Sequence, residues 1–225
     1  MSDLILFGVF PYVAVAVAAG GLAYRRRALR STVTARSSQL LEGRALYWGS
    51  VPWHGAILAI LAAHLAAALF PRAWAGLLGA ASRLLVLETT GVALGLLALF
   101  GIVVLLARRV RLRGATSAMD WVVLLDLALQ AATGLYVALA LRWGGAWYVQ
   151  TAAPWLASLV RLAPEVERMA VLPAVVKLHA VNAFVLIALT PLSRLVHVTS
   201  LPVGHLWRAP QLVVWRRAAT PEEQP

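Results

Sequence analysis

Four of the five histidines in this 225-residue chain lie inside two long apolar segments. His54 and His64 share one segment, and His179 and His197 share the other. Ionisable side chains are costly inside a membrane, so they are candidates for function by default. A single histidine in a span is often only a hydrogen-bond partner between helices. Two pairs on two segments instead favour metal ligation.

The four histidines pair by depth if the two segments cross the membrane in opposite directions. His54 then lies level with His197, and His64 lies level with His179. Two neutral imidazoles suit the axial positions of haem b, whereas zinc needs four tetrahedral ligands, or three and a water. Ten residues separate the first two histidines and eighteen the other two, which is about 15 Å and about 27 Å of helical rise. We expect tilted helices and a bend near Pro191 to absorb part of this mismatch.

The composition excludes several classes of protein. Hydrophobic residues make up 61% of the chain and charged residues only 13%, which is too apolar for an ordinary soluble domain. The absence of cysteine excludes thiolate-bound iron–sulfur clusters, cysteine-ligated zinc and covalent attachment of haem. A redox cofactor must therefore be held by other residues.

The fold class follows from the apolar segments, since about 20 such residues cross the bilayer as a helix. Five segments qualify, at 4–24, 47–70, 84–107, 119–141 and 171–199. We predict an all-α integral membrane protein of five transmembrane helices, with the two haems between the second and the fifth. Residues 1–203 would form this membrane domain, and residues 204–225 a cytoplasmic tail that contacts partner subunits.

The net charge of +11 is concentrated in arginine blocks beside the apolar segments. The loops at 25–46 and 108–118 together hold ten basic residues. This is the positive-inside pattern of a multi-pass membrane protein, and we favour it over nucleic-acid binding. It predicts an N-terminus outside, a cytoplasmic C-terminus and a location in the cytoplasmic (inner) membrane.

The histidine segments resemble the gamma subunit of membrane-bound respiratory nitrate reductase, a di-haem cytochrome b family. One part of the resemblance runs from Ser37-Ser38-Gln39-Leu40-Leu41 through Trp53-His54-Gly55 to His64. The other runs from Leu178-His179 through Pro191-Leu192-Ser193-Arg194-Leu195-Val196-His197 to Ser200-Leu201-Pro202-Val203. The length, the five spans and the predicted orientation also agree with that family.

The resemblance implies a path for electrons. Membrane quinol is oxidised near the outer haem, its protons are released outside, and electrons pass to the inner haem. From there they reach an iron–sulfur beta subunit and a molybdenum alpha subunit that reduces nitrate. Carried onto this chain, the family pattern makes His64 and His179 ligands of the distal, outer haem b. It makes His54 and His197 ligands of the proximal, inner one.

The resemblance also implies a quinol site at the start of the third span. Arg83 stands where better-known members have lysine, and it is either a quinol-site residue or an interfacial anchor. Arginine keeps its charge and does not readily carry protons. Glu88 follows in the same span, either as a proton acceptor for quinol or as a partner of Arg83.

The remaining polar residues have more than one interpretation. Arg194, Arg36, Arg111 and Arg44 are candidates for binding haem propionates, because arginine pairs bidentately with carboxylates, although membrane topology alone also explains most of them. Asp120 is expected to be a helix cap or a headgroup-level residue. Asp126 needs an internal partner. His205 is expected to be a surface or subunit-contact residue.

Two alternative functions remain open at the level of sequence. In the first, the same di-haem module passes electrons to another acceptor, such as a heterodisulfide- or sulfite-pathway oxidoreductase, because partner chains determine the acceptor. In the second, the chain is a haem-free transporter or membrane anchor.

Overall fold

The structure is a computed structural model that describes residues 1–28, 44–111, 117–141 and 143–195. All the regular elements within those ranges are helical. The α-helices are α1 (Ser2–Leu4), α2 (Phe10–Ala28), α3 (Arg44–Leu69), α4 (Pro71–Leu78), α5 (Ala81–Arg111), α6 (Ala118–Ala140), α7 (Gly144–Gln150), α8 (Ala152–Val160), α9 (Glu167–Ala170) and α10 (Ala174–Leu189). A π-helical turn at Ile5–Val9 joins α1 to α2, and a 3-10 turn at Thr190–Leu192 follows α10.

Five helical stretches are long and apolar enough to cross a membrane, as predicted. They are Ser2–Ala28, Arg44–Leu69, Ala81–Arg111, Ala118–Ala140 and Ala174–Leu192. Between the fourth and fifth predicted spans, most of the chain folds into the short helices α7, α8 and α9. The orientation of the spans in the membrane stays a prediction.

The spanning helices pack as a chain of neighbours: α3 on α5, α5 on α6, α6 on α10, and α10 on α2. Glycines bring α3 and α5 together. A Cβ on Gly101 would lie 2.7 Å from the carbonyl oxygen of Gly49 and 2.9 Å from the amide nitrogen of Trp53. Only glycine fits this approach. Among the described residues, α3 does not pack along α10, so the two histidine-bearing helices are joined through α5 and α6.

The helices between the fourth and fifth spans are fastened to the first span. The Trp155 indole N–H donates to the carbonyl of Phe7 at 3.0 Å, and their rings meet edge to face at 5.8 Å. The Tyr12 hydroxyl donates to the carbonyl of Leu159 at 2.9 Å. The Lys177 ammonium lies 3.3 Å from the Asp3 carboxylate and ties α10 to the start of the chain. These contacts hold the short helices in place at one end of the bundle.

The bend expected near Pro191 is present. The α-helix ends at Leu189, the 3-10 turn follows, and Ser193 is extended. One Arg25 guanidinium nitrogen donates to the carbonyls of Pro191 at 2.7 Å and Ser193 at 3.2 Å. A Cβ on Gly21 would lie 2.6 Å from the Pro191 ring, so the first span closely approaches the bend.

Asp120 caps α6, as the sequence led us to expect. It forms a capping box with Ser117, in which each side chain accepts from the other residue's backbone N–H at 3.2 Å. The same buried carboxylate pairs with Arg194 at 3.1 Å and with Arg109 at 3.4 Å. Asp120 therefore links the ends of α5 and α6 to the segment after α10.

Candidate functional site

His64 lies in the second half of α3, next to the short helix α7. Its Nδ1 atom is 2.8 Å from the carbonyl oxygen of Ile60, one turn earlier in the helix. The Tyr148 and His64 rings meet edge to face, with centroids 5.3 Å apart and planes at 78°. The Tyr148 hydroxyl also donates to the carbonyl of His64 at 3.3 Å. The imidazole is thus oriented by its own helix and by a residue from another element.

His179 lies on the face of α10 that packs against α6. Its Nδ1 atom is 3.0 Å from the Thr133 hydroxyl oxygen, and its Nε2 atom is 3.2 Å from the Gln130 amide nitrogen. The ring rests on the backbone of Gly134, where a Cβ would lie 2.9 Å from Cε1. Two hydrogen bonds and a glycine surface therefore determine the position of this imidazole.

The hydrogen bonds of these histidines favour one tautomer. Nδ1 of His54 is 2.7 Å from the carbonyl of Ser50, so both α3 histidines donate to a carbonyl from Nδ1. The Thr133 hydroxyl donates to the carbonyl of Leu129, and its oxygen is then the acceptor for Nδ1–H of His179. A proton on Nδ1 places the lone pair on Nε2, the nitrogen that such a bond prepares for a metal. In His179 that lone pair accepts from the Gln130 amide at 3.2 Å, so iron would have to displace this hydrogen bond. The chemistry of these donors fits axial ligation of haem iron.

His64 on α3 and His179 on α10 are both described, and their pairing across one haem stays a prediction. His197 and His205 lie outside the described residues, so the expected match of His54 with His197 stays a prediction.

A polar network extends from His179 along the contact between α6 and α10. The Asn182 side-chain amide donates to the Gln130 side-chain oxygen at 2.8 Å and to the backbone carbonyl of Asp126 at 3.1 Å. Oδ2 of Asp126 is buried and has no hydrogen-bond partner among the described residues. The Asn182 side chain also interacts with the Asp126 carboxyl group, so the neighbouring helix supplies an internal partner as expected, although Oδ2 itself has none among the described residues.

Arg83 and Glu88 do not pair with each other, contrary to one of the two expectations for Glu88. The Arg83 guanidinium donates to the carbonyls of Leu77 at 2.8 Å and Gly76 at 3.1 Å, at the end of α4. Glu88 Oε1 accepts from the backbone N–H of Gly145 at 2.9 Å. Both side chains are held by backbone groups of the short helices at this end.

The propionate candidates differ in their surroundings. Arg194 is paired with Asp120, whereas Arg111 and Arg44 are exposed at helix ends. Arg36 lies outside the described residues.

Sequence reasoning missed the partners of His64 and His179, the two residues predicted to be ligands of the distal haem. Gln130 and Thr133 are polar residues one turn apart within an apolar span, and that spacing marks a shared face. Tyr148 carries no comparable signal, because only the tertiary fold brings it to His64, 84 positions away.

Comparison with known proteins matches residues 3–216 to the family described as nitrate reductase gamma subunit. The chain is 33% identical to the nitrate reductase gamma chain of Bacillus subtilis (strain 168), over 96% of this chain and 99% of the relative. It is 30% identical to the respiratory nitrate reductase 1 gamma chain of Escherichia coli (strain K12), over 94% and 96% respectively. A nitrate reductase-like protein of Mycobacterium tuberculosis is 34% identical over 92% of this chain, but only 33% of that relative is covered.

Proposed function

Because the chain belongs to the nitrate reductase gamma subunit family, we propose that it is the membrane cytochrome b subunit of a quinol:nitrate oxidoreductase. Each quinol would be oxidised to quinone, releasing two protons outside and two electrons into the chain. The electrons would leave on the cytoplasmic side for an iron–sulfur subunit and a molybdenum subunit, where nitrate is reduced. The names of the relatives favour nitrate over the other acceptors considered.

The observation that carries this proposal is the hydrogen bonding of the histidines. An Nδ1 donor to a carbonyl or hydroxyl holds the ring with its lone pair on Nε2, and in His179 iron would replace the Gln130 amide as the partner of that nitrogen. We assign His64 and His179 to the distal haem b and His54 and His197 to the proximal one. Once bound, the two b haems would carry single electrons across the apolar core.

Quinol oxidation belongs, in this proposal, at the end of the bundle where His64 and the short helices lie. Arg83 borders this end with a fixed positive charge, held by the carbonyls of α4. A guanidinium in that position can donate hydrogen bonds to a quinol oxygen without changing its own protonation. Glu88 borders the same end.

Arginines at the opposite end would bind the propionates of the proximal haem. Arg111 is exposed at the end of α5, and Arg36 lies outside the described residues. Arg194 already pairs with Asp120, so it would have to bind both that carboxylate and a haem propionate.

A haem count on the purified complex tests the proposal. Pyridine haemochrome and reduced-minus-oxidised spectra in detergent should give about two b haems per chain. His64→Ala and His179→Ala should each lose the same haem, and His54→Ala and His197→Ala the other. His205→Ala is the matched control and should keep both. A complex purified with its partner subunits that contains no haem would overturn the proposal.

A further inference from the structure

Helix α7 is the short segment between the fourth and fifth spans, and it touches two spanning helices through polar contacts. One contact is made by Glu88 on α5 and the other by His64 on α3. Gly145 and Tyr148, the residues of α7 that make these contacts, are three positions apart. They therefore lie on the same face of the helix.

Glu88 binds α7 through its backbone. The N–H of Gly145 donates to Oε1 at 2.9 Å. A Cβ on Gly145 would lie 3.2 Å from that oxygen and 3.3 Å from the Leu87 side chain. The absence of a side chain lets α7 approach α5 this closely.

Tyr148 connects α7 to the imidazole. Its ring packs edge to face with the imidazole of His64, and its hydroxyl donates to the backbone carbonyl of the same residue. The Tyr148 ring limits rotation of the imidazole, and the Tyr148 hydroxyl holds α7 against the backbone of α3.

We propose that Glu88, Gly145 and Tyr148 form a clamp that orients the imidazole of His64. Glu88 holds α7 on α5, and α7 places Tyr148 against the ring. The clamp makes Glu88 a positioning residue that acts through α7, in place of a proton acceptor for quinol. This inference rests on the proposed function, in which His64 is a ligand of the distal haem.

The two roles of Glu88 predict opposite results for one substitution. Glu88→Gln keeps a side-chain oxygen that can accept from Gly145 but removes the carboxylate that would take a proton. Glu88→Ala removes both. The clamp predicts that Glu88→Gln behaves nearly as the unmodified protein and that Glu88→Ala does not.

The experiment uses the complete complex, purified with its partner subunits. Electron paramagnetic resonance and potentiometric titration follow each haem separately, and quinol oxidation is measured beside them. Glu88→Ala and Tyr148→Ala should alter the distal haem signal and lower quinol oxidation about 10-fold, as the loss of an outer partner of a metal ligand does. The proximal haem signal should stay unchanged in both variants. Tyr136→Ala, at an exposed tyrosine of α6, is the matched control and should change neither haem.

The possible results separate this inference from the function on which it rests. If the unmodified complex contains no haem, the proposed function fails. If it contains two haems and Glu88→Ala leaves the distal signal unchanged, only the clamp is overturned. Equal loss of activity in Glu88→Gln and Glu88→Ala, with both haem signals intact, would instead make Glu88 the proton acceptor. If Glu88→Ala does not assemble, Tyr148→Ala decides, and an unchanged distal signal there overturns the clamp.

Discussion

At the scale of single residues, His179 shows how an apolar helix interface can hold one imidazole in a single orientation. Thr133 binds one ring nitrogen, Gln130 binds the other, and Gly134 leaves room for the ring itself. Polar groups away from water are favourable only when they are hydrogen bonded. These three residues therefore restrict the His179 imidazole to one orientation.

We expect Gly134→Ala to displace the His179 imidazole, because the new Cβ would lie 2.9 Å from its Cε1 atom. Displacement of a ligand should weaken distal haem binding by about 10-fold or more. The haem-to-protein ratio from reduced-minus-oxidised spectra measures this, with only the proximal haem retained.

Gly91→Ala is the matched control for that substitution. Gly91 also lies inside a spanning helix, but a Cβ there meets no atom within 4 Å. It should keep both haems. Equal haem content in the two variants would show that the position of the ring does not depend on Gly134.

Candidate residues differ in how far sequence alone could assign them. His54, His64 and His179 stand out because titratable residues are rare in spans. Glu88 stands out for the same reason, but its hydrogen-bond partner is a backbone N–H of another element. No side-chain pattern marks a backbone donor, so the sequence suggested Arg83 or quinol as its partner instead.

At the scale of elements, Asp120 is a junction among three helices. Its carboxylate completes the cap of α6 and pairs with Arg109 on α5 and Arg194 after α10. Arg194 precedes His197 by three residues in the sequence. The junction therefore holds the start of the segment that leads to that proposed ligand.

Asp120→Ala should lower the free energy of unfolding by about 1 kcal/mol through loss of the cap. The free energy of unfolding should fall further because the half-buried Arg109 would lose its carboxylate partner. Asp120→Asn keeps an oxygen that can accept from the Ser117 N–H and should cost less. Thermal unfolding in detergent, followed by circular dichroism, measures the difference.

Asp3→Asn is the control for the Asp120 variants. Its carboxylate also pairs with a basic residue, Lys177, but both side chains are more exposed to the surroundings. Exposed pairs contribute about 0–1 kcal/mol, so the effect should be small. A loss of stability in Asp120→Ala no greater than in Asp3→Asn would contradict a structural role for the junction.

At the scale of the whole molecule, the arginine-rich loops predict the orientation of the five spans. The chain contains no cysteine, so a single introduced cysteine reports its own accessibility without background. Ala163 lies in the segment predicted outside, and Ala115 lies in a loop predicted inside. A membrane-impermeant maleimide on intact spheroplasts should label Ala163→Cys and not Ala115→Cys.

Opening the membranes supplies the control for this orientation test. After permeabilisation, both cysteines should react, since each is expected in a loop. Labelling of Ala115→Cys in intact spheroplasts, with Ala163→Cys protected, would reverse the predicted orientation. It would also move the quinol site to the cytoplasmic side.

The sequence by itself determined the five spans and placed His54 and His64 in the second and His179 in the fifth. Both depend on local quantities, namely the length of an apolar run and the presence of rare ionisable residues within it. The tertiary structure decided which residues surround each ligand. The contacts of Thr133 with His179, Tyr148 with His64 and Gly145 with Glu88 join distant parts of the chain. They depend on how each helix is rotated about its axis and packed on its neighbours, and the mean hydropathy of a span does not specify that rotation.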